Sequence, residues 1–449
     1  MPSPDTPPSG LRKAAERPDG QRGFLSQSLA SVCIKGASLL LGFATVVVLA
    51  RVLGKEAYGV YAVVFATISV LSIPAALGTP SLVVRETARA RADDAPEMIR
   101  PLWARADYFV LAASSVILLL AGLWLGFGGL EQDWVWAMLA GLALVPLRAF
   151  IAVRGAMLRG MGQIVTGQLP EFVLRPGLFL VLVVLLAWMS GPEPPGAPET
   201  LIVHGFAATF ALAIAMLLLV RSAPSAGARG TSSMGPAEML IASGTMGLIA
   251  GAQVLNNNLD VMMLGALAER GDAGVYKVAA SCAMLAGFGL QAVNQALMPR
   301  IAASHKRGDR ATMQVLVRQS ARLSLLLAVL SAVVLGSVGM WFLEAAFGSG
   351  FEAGYHALLI LLAGQVLNAT FGPVISVLNM TGHERETLIG VLIACAVNVV
   401  LNAVLIPLYG IEGAAGATAI TLVCWNALLW LKVRQRLGLN PTAFATVPK

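Results

Sequence analysis

The chain is 449 residues long, 57% hydrophobic and only 12% charged, against roughly 45–50% and about 25% in soluble globular chains. So few charges cannot clothe the surface of a soluble protein of this length, and a mean hydropathy of +0.77 points the same way. Four scattered cysteines exclude a disulfide-stapled scaffold, and the net charge of +7 has to be read as loop placement before it is read as a binding surface.

The first 24 residues are polar and Pro-rich, with Arg12, Lys13, Arg17 and Arg22. They predict a disordered cytoplasmic tail, because the apolar run that follows is far too long for a cleavable signal. Apolar stretches then recur at 25–50, 57–84, 107–127, 134–158, 169–190, 200–220, 238–264, 274–299, 316–343, 355–379, 386–407 and 413–433. Each is too long for a barrel strand and long enough for a spanning helix. Helices satisfy their own backbone hydrogen bonds in hydrocarbon, so the expectation is an all-α polytopic membrane protein of about 12 transmembrane helices. Only Arg51, Lys55 and Arg270 fall in loops opposite the N-terminus, while most other basic residues lie in or beside loops on its side. That asymmetry places both termini in the cytoplasm. It also absorbs most of the basic excess, and no loop interleaves aromatics with cations as a nucleic-acid surface does.

Residues 222–236 (SAPSAGARGTSSMGP) read as a flexible linker. They divide the chain into a six-helix lobe over 25–221 and a second over 237–436, followed by a cytoplasmic tail over 437–449. Gly59-Val60-Tyr61 recurs as Gly274-Val275-Tyr276, 215 residues later. The same offset pairs Leu82 with Leu297, Arg85 with Arg300, Asp94 with Asp309 and Met98 with Met313. Six helices per half make these parallel repeats, an arrangement that favours a transporter with its binding site in a central cavity between lobes.

A charge at the bilayer centre costs at least about 2.5–3.5 kcal/mol, so intramembrane charges mark candidate sites. In the first span Ser28, Ser31, Lys35, Ser38, Gly42 and Thr45 share one face. This is either a small-residue packing stripe or the wall of a water-lined cavity, and the depth of Lys35 favours the cavity. Arg148, Asn256, Asn257, Lys277 and Gln291 extend the candidate substrate cavity. Asp260 and Lys277 lie near the outer surface on adjacent helices, as a structural ion pair or as a gating or coupling element. Glu171 and Arg175, at i and i+4, predict a local pair, with Glu171 the second candidate coupling group. Asn398 and Asn402, one turn apart, predict a helix-to-helix bond. Pro74, Pro80, Pro146, Pro176 and Pro373 predict bends. No metal-spaced His or Cys cluster, Walker sequence or nucleophile elbow is present, so no cofactor and no enzyme are expected.

Several segments carry a family resemblance. These are Asn379–Glu384 (NMTGHE), Asn398–Asn402 (NVVLN), Ile406–Thr418 (IPLYGIEGAAGAT), Ala50–Tyr61 (ARVLGKEAYGVY), Asp260–Gly265 (DVMMLG) and Gly274-Val275-Tyr276. Together they resemble the polysaccharide transporters of the multidrug/oligosaccharidyl-lipid/polysaccharide exporter superfamily, O-antigen-type flippases in particular. The resemblance implies two lobes in a V around a cationic cavity, working by alternating access in the bacterial inner (plasma) membrane. It implies a polyprenyl-diphosphate-linked oligosaccharide as substrate, its lipid tail remaining in the bilayer. The partners it implies are a polysaccharide polymerase with chain-length machinery, and a proton or sodium ion for coupling. Lys35 is then the first candidate cavity cation and Lys277 the second, and only Asp260 sits inside a matching motif. A drug/cation antiporter of the same superfamily and a membrane polymerase or ligase are the alternatives. The basic excess within the spans and the short outer loops weigh against them.

Overall fold

The computed structural model describes residues 18–129, 131–223 and 236–444. Among these residues the chain is helical, with no strand. The first half runs α1 (Pro18–Ala76), α2 (Thr79–Ala92), α3 (Ile99–Phe127), α4 (Gln132–Leu142), α5 (Leu144–Gly160), α6 (Ile164–Leu169), α7 (Arg175–Ser190) and α8 (Ala197–Ser222). The second runs α9 (Pro236–Leu267), α10 (Asp272–Lys306), α11 (Arg310–Phe347), α12 (Tyr355–Thr370), α13 (Val374–Met380) and α14 (Glu384–Leu437).

By length and composition, eight helical segments among the described residues are apolar enough to cross a membrane. Two of them hold two passes each. α1 reverses at Gly54 (φ 72°, ψ 176°) and α14 at Gly410 (φ 56°, ψ −126°), backbone states that a Cβ would strain. With α9 and α10 the chain has about twelve passes, as the apolar runs predict. Large apolar side chains face outward along the bundle, among them Phe127, Trp188, Trp136 and Val220. Such a surface suits lipid and would aggregate in water.

Several boundaries differ from the sequence pattern. α1 begins at Pro18 rather than 25, since proline suits a first helical turn. Of the expected N-terminal tail, residues 1–17 lie outside the described residues, as do 224–235 of the linker and 445–449 of the C-terminal tail. Residues 438–444 are folded against the second half. The Asn440 backbone exchanges two hydrogen bonds with the Gln314 side chain, and Ala443 N donates to Thr370 O. That last bond satisfies a carbonyl freed where the tenth pass breaks between α12 and α13, around Pro373. Pro80 lies in the first turn of α2 and Pro146 just after the α4–α5 break, whereas Pro74 stays inside α1.

The two halves meet where the second pass of α1 packs on α9 and α10. Gly59 lies so close to the Arg270–Gly271 turn and to Gly274 that a methyl on it would overlap the Arg270 carbonyl. On this face, opposite the chain ends, Arg270 forms ion pairs with Glu131 and, at 3.7 Å, with Asp133. Arg51 donates to the Ala345 and Ala346 carbonyls at the end of α11. Tyr58 on Phe351 and Phe43 on Phe347 close the same seam with rings.

Candidate functional site

Among the described residues, two cavities gather most of the polar residues singled out in the sequence. The larger, about 590 Å³, lies between the halves and is lined by Lys35, Ser69, Ser72, Arg148, Arg159, Gln168, Glu171 and by Gly247–Val254 positions of α9. The face of the first pass puts Lys35 into it, with its side chain exposed. Ser31 donates to Gln168 Oε1 at 2.9 Å, tying the first pass to α6 beside the cavity. Arg148 donates to Ser69 Oγ at 3.0 Å and lies 5.0 Å above the Phe65 ring. Arg159, at the C-terminal end of α5, donates to the Gly167 carbonyl at 3.2 Å. Among the described residues none of these three cations is ion-paired, and Glu171 has neither an ion pair nor a hydrogen bond. Three cations facing one carboxylate leave the cavity positive, in a low-dielectric wall where an anion is held more strongly than in water.

The expected Glu171–Arg175 pair does not form. Glu171 lies inside a π-helical turn, Pro170–Leu174, that Arg175 caps, and such turns re-aim the side chains around them. Arg175 does not line the cavity and donates to His204 Nε2 at 3.3 Å. A guanidinium only donates, so Nε2 accepts and His204 carries its proton on Nδ1, 3.0 Å from Tyr61 Oη. The imidazole stacks on Phe179 (centroids 4.0 Å apart) and Phe65 (5.1 Å).

The second cavity, about 260 Å³, lies within the second half. It is lined by Asn256, Asn257, Asp260, Tyr276, Lys277, Ser281, Gln365, Asn398, Thr418 and Thr421 among others. Asp260 is buried and accepts hydrogen bonds from Asn402 (2.7 Å), Tyr276 (2.8 Å) and Thr418 (2.6 Å). The ion pair with Lys277 is therefore not formed. Neutral donors from α10 and both passes of α14 occupy the carboxylate instead, and Lys277 stands in the same cavity without a salt bridge among the described residues. Asn402 also donates to Asn398 within α14, and of the two asparagines it is Asn402 that bonds to another helix, onto α9 through Asp260. Among the described residues, Asn256 Oδ1 and Thr421 Oγ1 on the cavity wall and Asn402 Oδ1 beside the carboxylate are buried without a hydrogen-bond partner.

The candidate residues thus divide. Lys35, Arg148 and Glu171 share the larger cavity, with Ser31 hydrogen-bonded at its edge, while Lys277, Asn256, Asn257 and Asp260 share the smaller. Ser38 lines neither cavity. The Gln291 side chain lies outside the described residues. Sequence reading left out Gln168, Ser69, Tyr276 and Thr418. Tyr276 had a signal in the repeated Gly-Val-Tyr, whereas Thr418 stood only inside a resemblance motif.

The family model for polysaccharide biosynthesis proteins matches residues 24–305. The chain belongs to the polysaccharide biosynthesis protein family. Over 167 residues this family member is 26% identical to Agl15 of Haloferax volcanii, named a probable low-salt glycan biosynthesis flippase. That match covers 36% of this chain and about a third (34%) of the length of Agl15. Its fold is similar to that of a multidrug resistance MATE family transporter of the MOP superfamily in an inward-facing conformation, with TM-score 0.73 and 15% identity over 91% of this chain and 98% of that one. It is equally similar to the lipid II flippase MurJ in an inward closed conformation, with TM-score 0.73 and 12% identity over 91% and 87%. The expected polysaccharide-exporter resemblance and the expected fold class hold. The reading of the chain as no enzyme agrees with a family whose relatives are flippases and transporters.

Proposed function

We propose that this polysaccharide biosynthesis family protein flips a polyprenyl-diphosphate-linked oligosaccharide across the bacterial plasma membrane by alternating access, for polysaccharide export of the O-antigen kind. The observation that carries this is a set of cations with no ion pair among the described residues, Lys35, Arg148 and Arg159, around a space of about 590 Å³ between the halves. A volume in the ligand-pocket range of about 300–1,000 Å³ suits a diphosphate with its first sugars, while the lipid tail stays in the bilayer between lobes.

In this reading the face carrying both chain ends is cytoplasmic. The ring and ion-pair seam on the opposite face is the closed outer side of an inward-open state. Movement of the headgroup outward is favoured by the membrane potential, by about 2.3 kcal/mol per charge for each 100 mV. The second cavity supplies the coupling ion site. Hydroxyls that now donate to Asp260 carry lone pairs as well. Tyr276 and Thr418 thus turn from donors to the carboxylate into ligands when a proton or a sodium ion arrives, beside the unpartnered Asn256, Asn402 and Thr421 oxygens. The polymerase and chain-length machinery are the partners that receive the exported unit. The drug/cation antiporter reading asks for the opposite sign in the larger cavity.

Deleting the gene and locating the lipid-linked precursor tests the assignment. Retention of the precursor on the cytoplasmic leaflet is expected. Exported but unpolymerised units would contradict it and favour a polymerase.

A further inference from the structure

His204 is a buried titratable side chain of the first half that the transport scheme leaves without a task. It stands on α8, behind the cavity wall. Arg175 meets the His204 imidazole at 3.3 Å, and its other candidate partner, the Glu171 carboxylate, stands four residues back on its own pass. Glutamate–arginine pairs at i and i+4 form readily when nothing competes. Here the competitor is fixed from three sides. Tyr61 orients Nδ1, and Phe179 and Phe65 hold the ring plane, so Nε2 is aimed at Arg175. The Phe65 ring also carries Arg148 on its face, which links this cluster to the cavity cations.

We propose that His204 is a positioning residue: it draws Arg175 off Glu171 and thereby leaves the Glu171 carboxylate free at the wall of the transport cavity. The inference rests on the flippase reading in that Glu171 then faces the headgroup, as an acceptor for sugar hydroxyls beside the phosphate-binding cations. Loss of the Nε2 acceptor returns Arg175 to Glu171, fills the acceptor and removes the negative end of the cavity. The arrangement accounts for two features at once, an i,i+4 pair that does not form and a neutral imidazole held against a guanidinium.

The test is made on the purified full chain with Cys33, Cys282, Cys395 and Cys424 replaced by Ser and Phe172→Cys added as a reporter beside Glu171 on the cavity wall. The rate of labelling by an anionic methanethiosulfonate, divided by that for a cationic one, reads the local potential. His204→Phe keeps the ring stack and removes the acceptor, and should raise the ratio by about threefold to tenfold. His204→Gln, which keeps an acceptor, should leave the ratio near its starting value. His204→Phe with Arg175→Gln should bring it back down. His204→Leu serves if the ring variant is not monodisperse on size exclusion.

In proteoliposomes carrying a fluorescent polyprenyl-diphosphate disaccharide, His204→Phe should flip the probe more slowly, and the double variant should recover the rate. An unchanged labelling ratio, or a double variant no faster than the single one, overturns the proposal. If the unsubstituted protein does not move the probe, the flippase reading fails instead, and the labelling ratio still decides the role of His204.

Discussion

The Gly-Val-Tyr segment occurs once in each half, and its tyrosine ends on a different kind of group each time. Tyr61 meets His204, which holds Arg175. Tyr276 meets Thr418 at 3.0 Å and Asp260 at 2.8 Å. His204 and Thr418 stand 214 residues apart, one short of the 215 that relates the tyrosines. The duplicated scaffold therefore places a hydroxyl at the same station, and the halves diverge in the charge around it. In the first half Lys35, Arg148 and Arg159 line an open cavity with no ion pair among the described residues. In the second a single carboxylate is saturated by neutral donors. Unpaired cations await an anion, whereas a carboxylate held by groups that both donate and accept is suited to exchanging a small cation. In the proposed scheme the same fold separates substrate chemistry from coupling chemistry.

The sharpest way to break this division is Asp260→Asn. It keeps the shape and removes the charge, so substrate-driven binding should persist while coupled transport falls by about tenfold or more, as for loss of a charged hydrogen-bonding group. Transport undiminished, measured with and without an imposed ion gradient, would remove the second cavity from coupling. Next in size is Lys35→Ala. A charged hydrogen bond is worth about 1.5–3 kcal/mol, so flipping of a lipid diphosphate should drop about tenfold to a hundredfold, and Lys35→Arg should keep more activity than Lys35→Ala. Equal loss in both would mean that packing, not charge, is what Lys35 supplies.

The seam opposite the chain ends should matter less. Arg270→Ala removes ion pairs that are partly exposed and individually worth about 1 kcal/mol or less. A modest shift toward longer distances between spin labels across the seam is expected. No shift would place the closure in Gly59, Gly274, the rings and the Arg51 bonds. Smallest is Thr418→Val, which deletes one of three donors to Asp260. It should lower stability by about 0.6 kcal/mol, the average for such bonds in membrane proteins, read as a small fall in Tm.

The passes were legible because length and apolarity alone specify a spanning helix. Lys35 was legible because helical spacing put it on a polar stripe. The partners of Asp260 were not, because Asn402 and Thr418 lie more than a hundred residues away and only packing brings them to α9. The Glu171–Arg175 expectation failed for a local reason, the π-helical turn at Pro170, and a distant one, the acceptor on His204. Spacing rules describe regular helices and do not see either. Lys35 and Lys277 were both candidates for one substrate cavity, but the division into two cavities depends on how the halves pack.

The central claim is that the cavity between the halves binds an anionic headgroup through Lys35, Arg148 and Arg159. Its most direct measurement is the flipping rate of a fluorescent polyprenyl-diphosphate disaccharide in proteoliposomes, comparing the unsubstituted protein with Lys35→Ala/Arg148→Ala. The account predicts protein-dependent flipping that the double variant loses while remaining folded and monodisperse. Flipping by the double variant at the unsubstituted rate would contradict it.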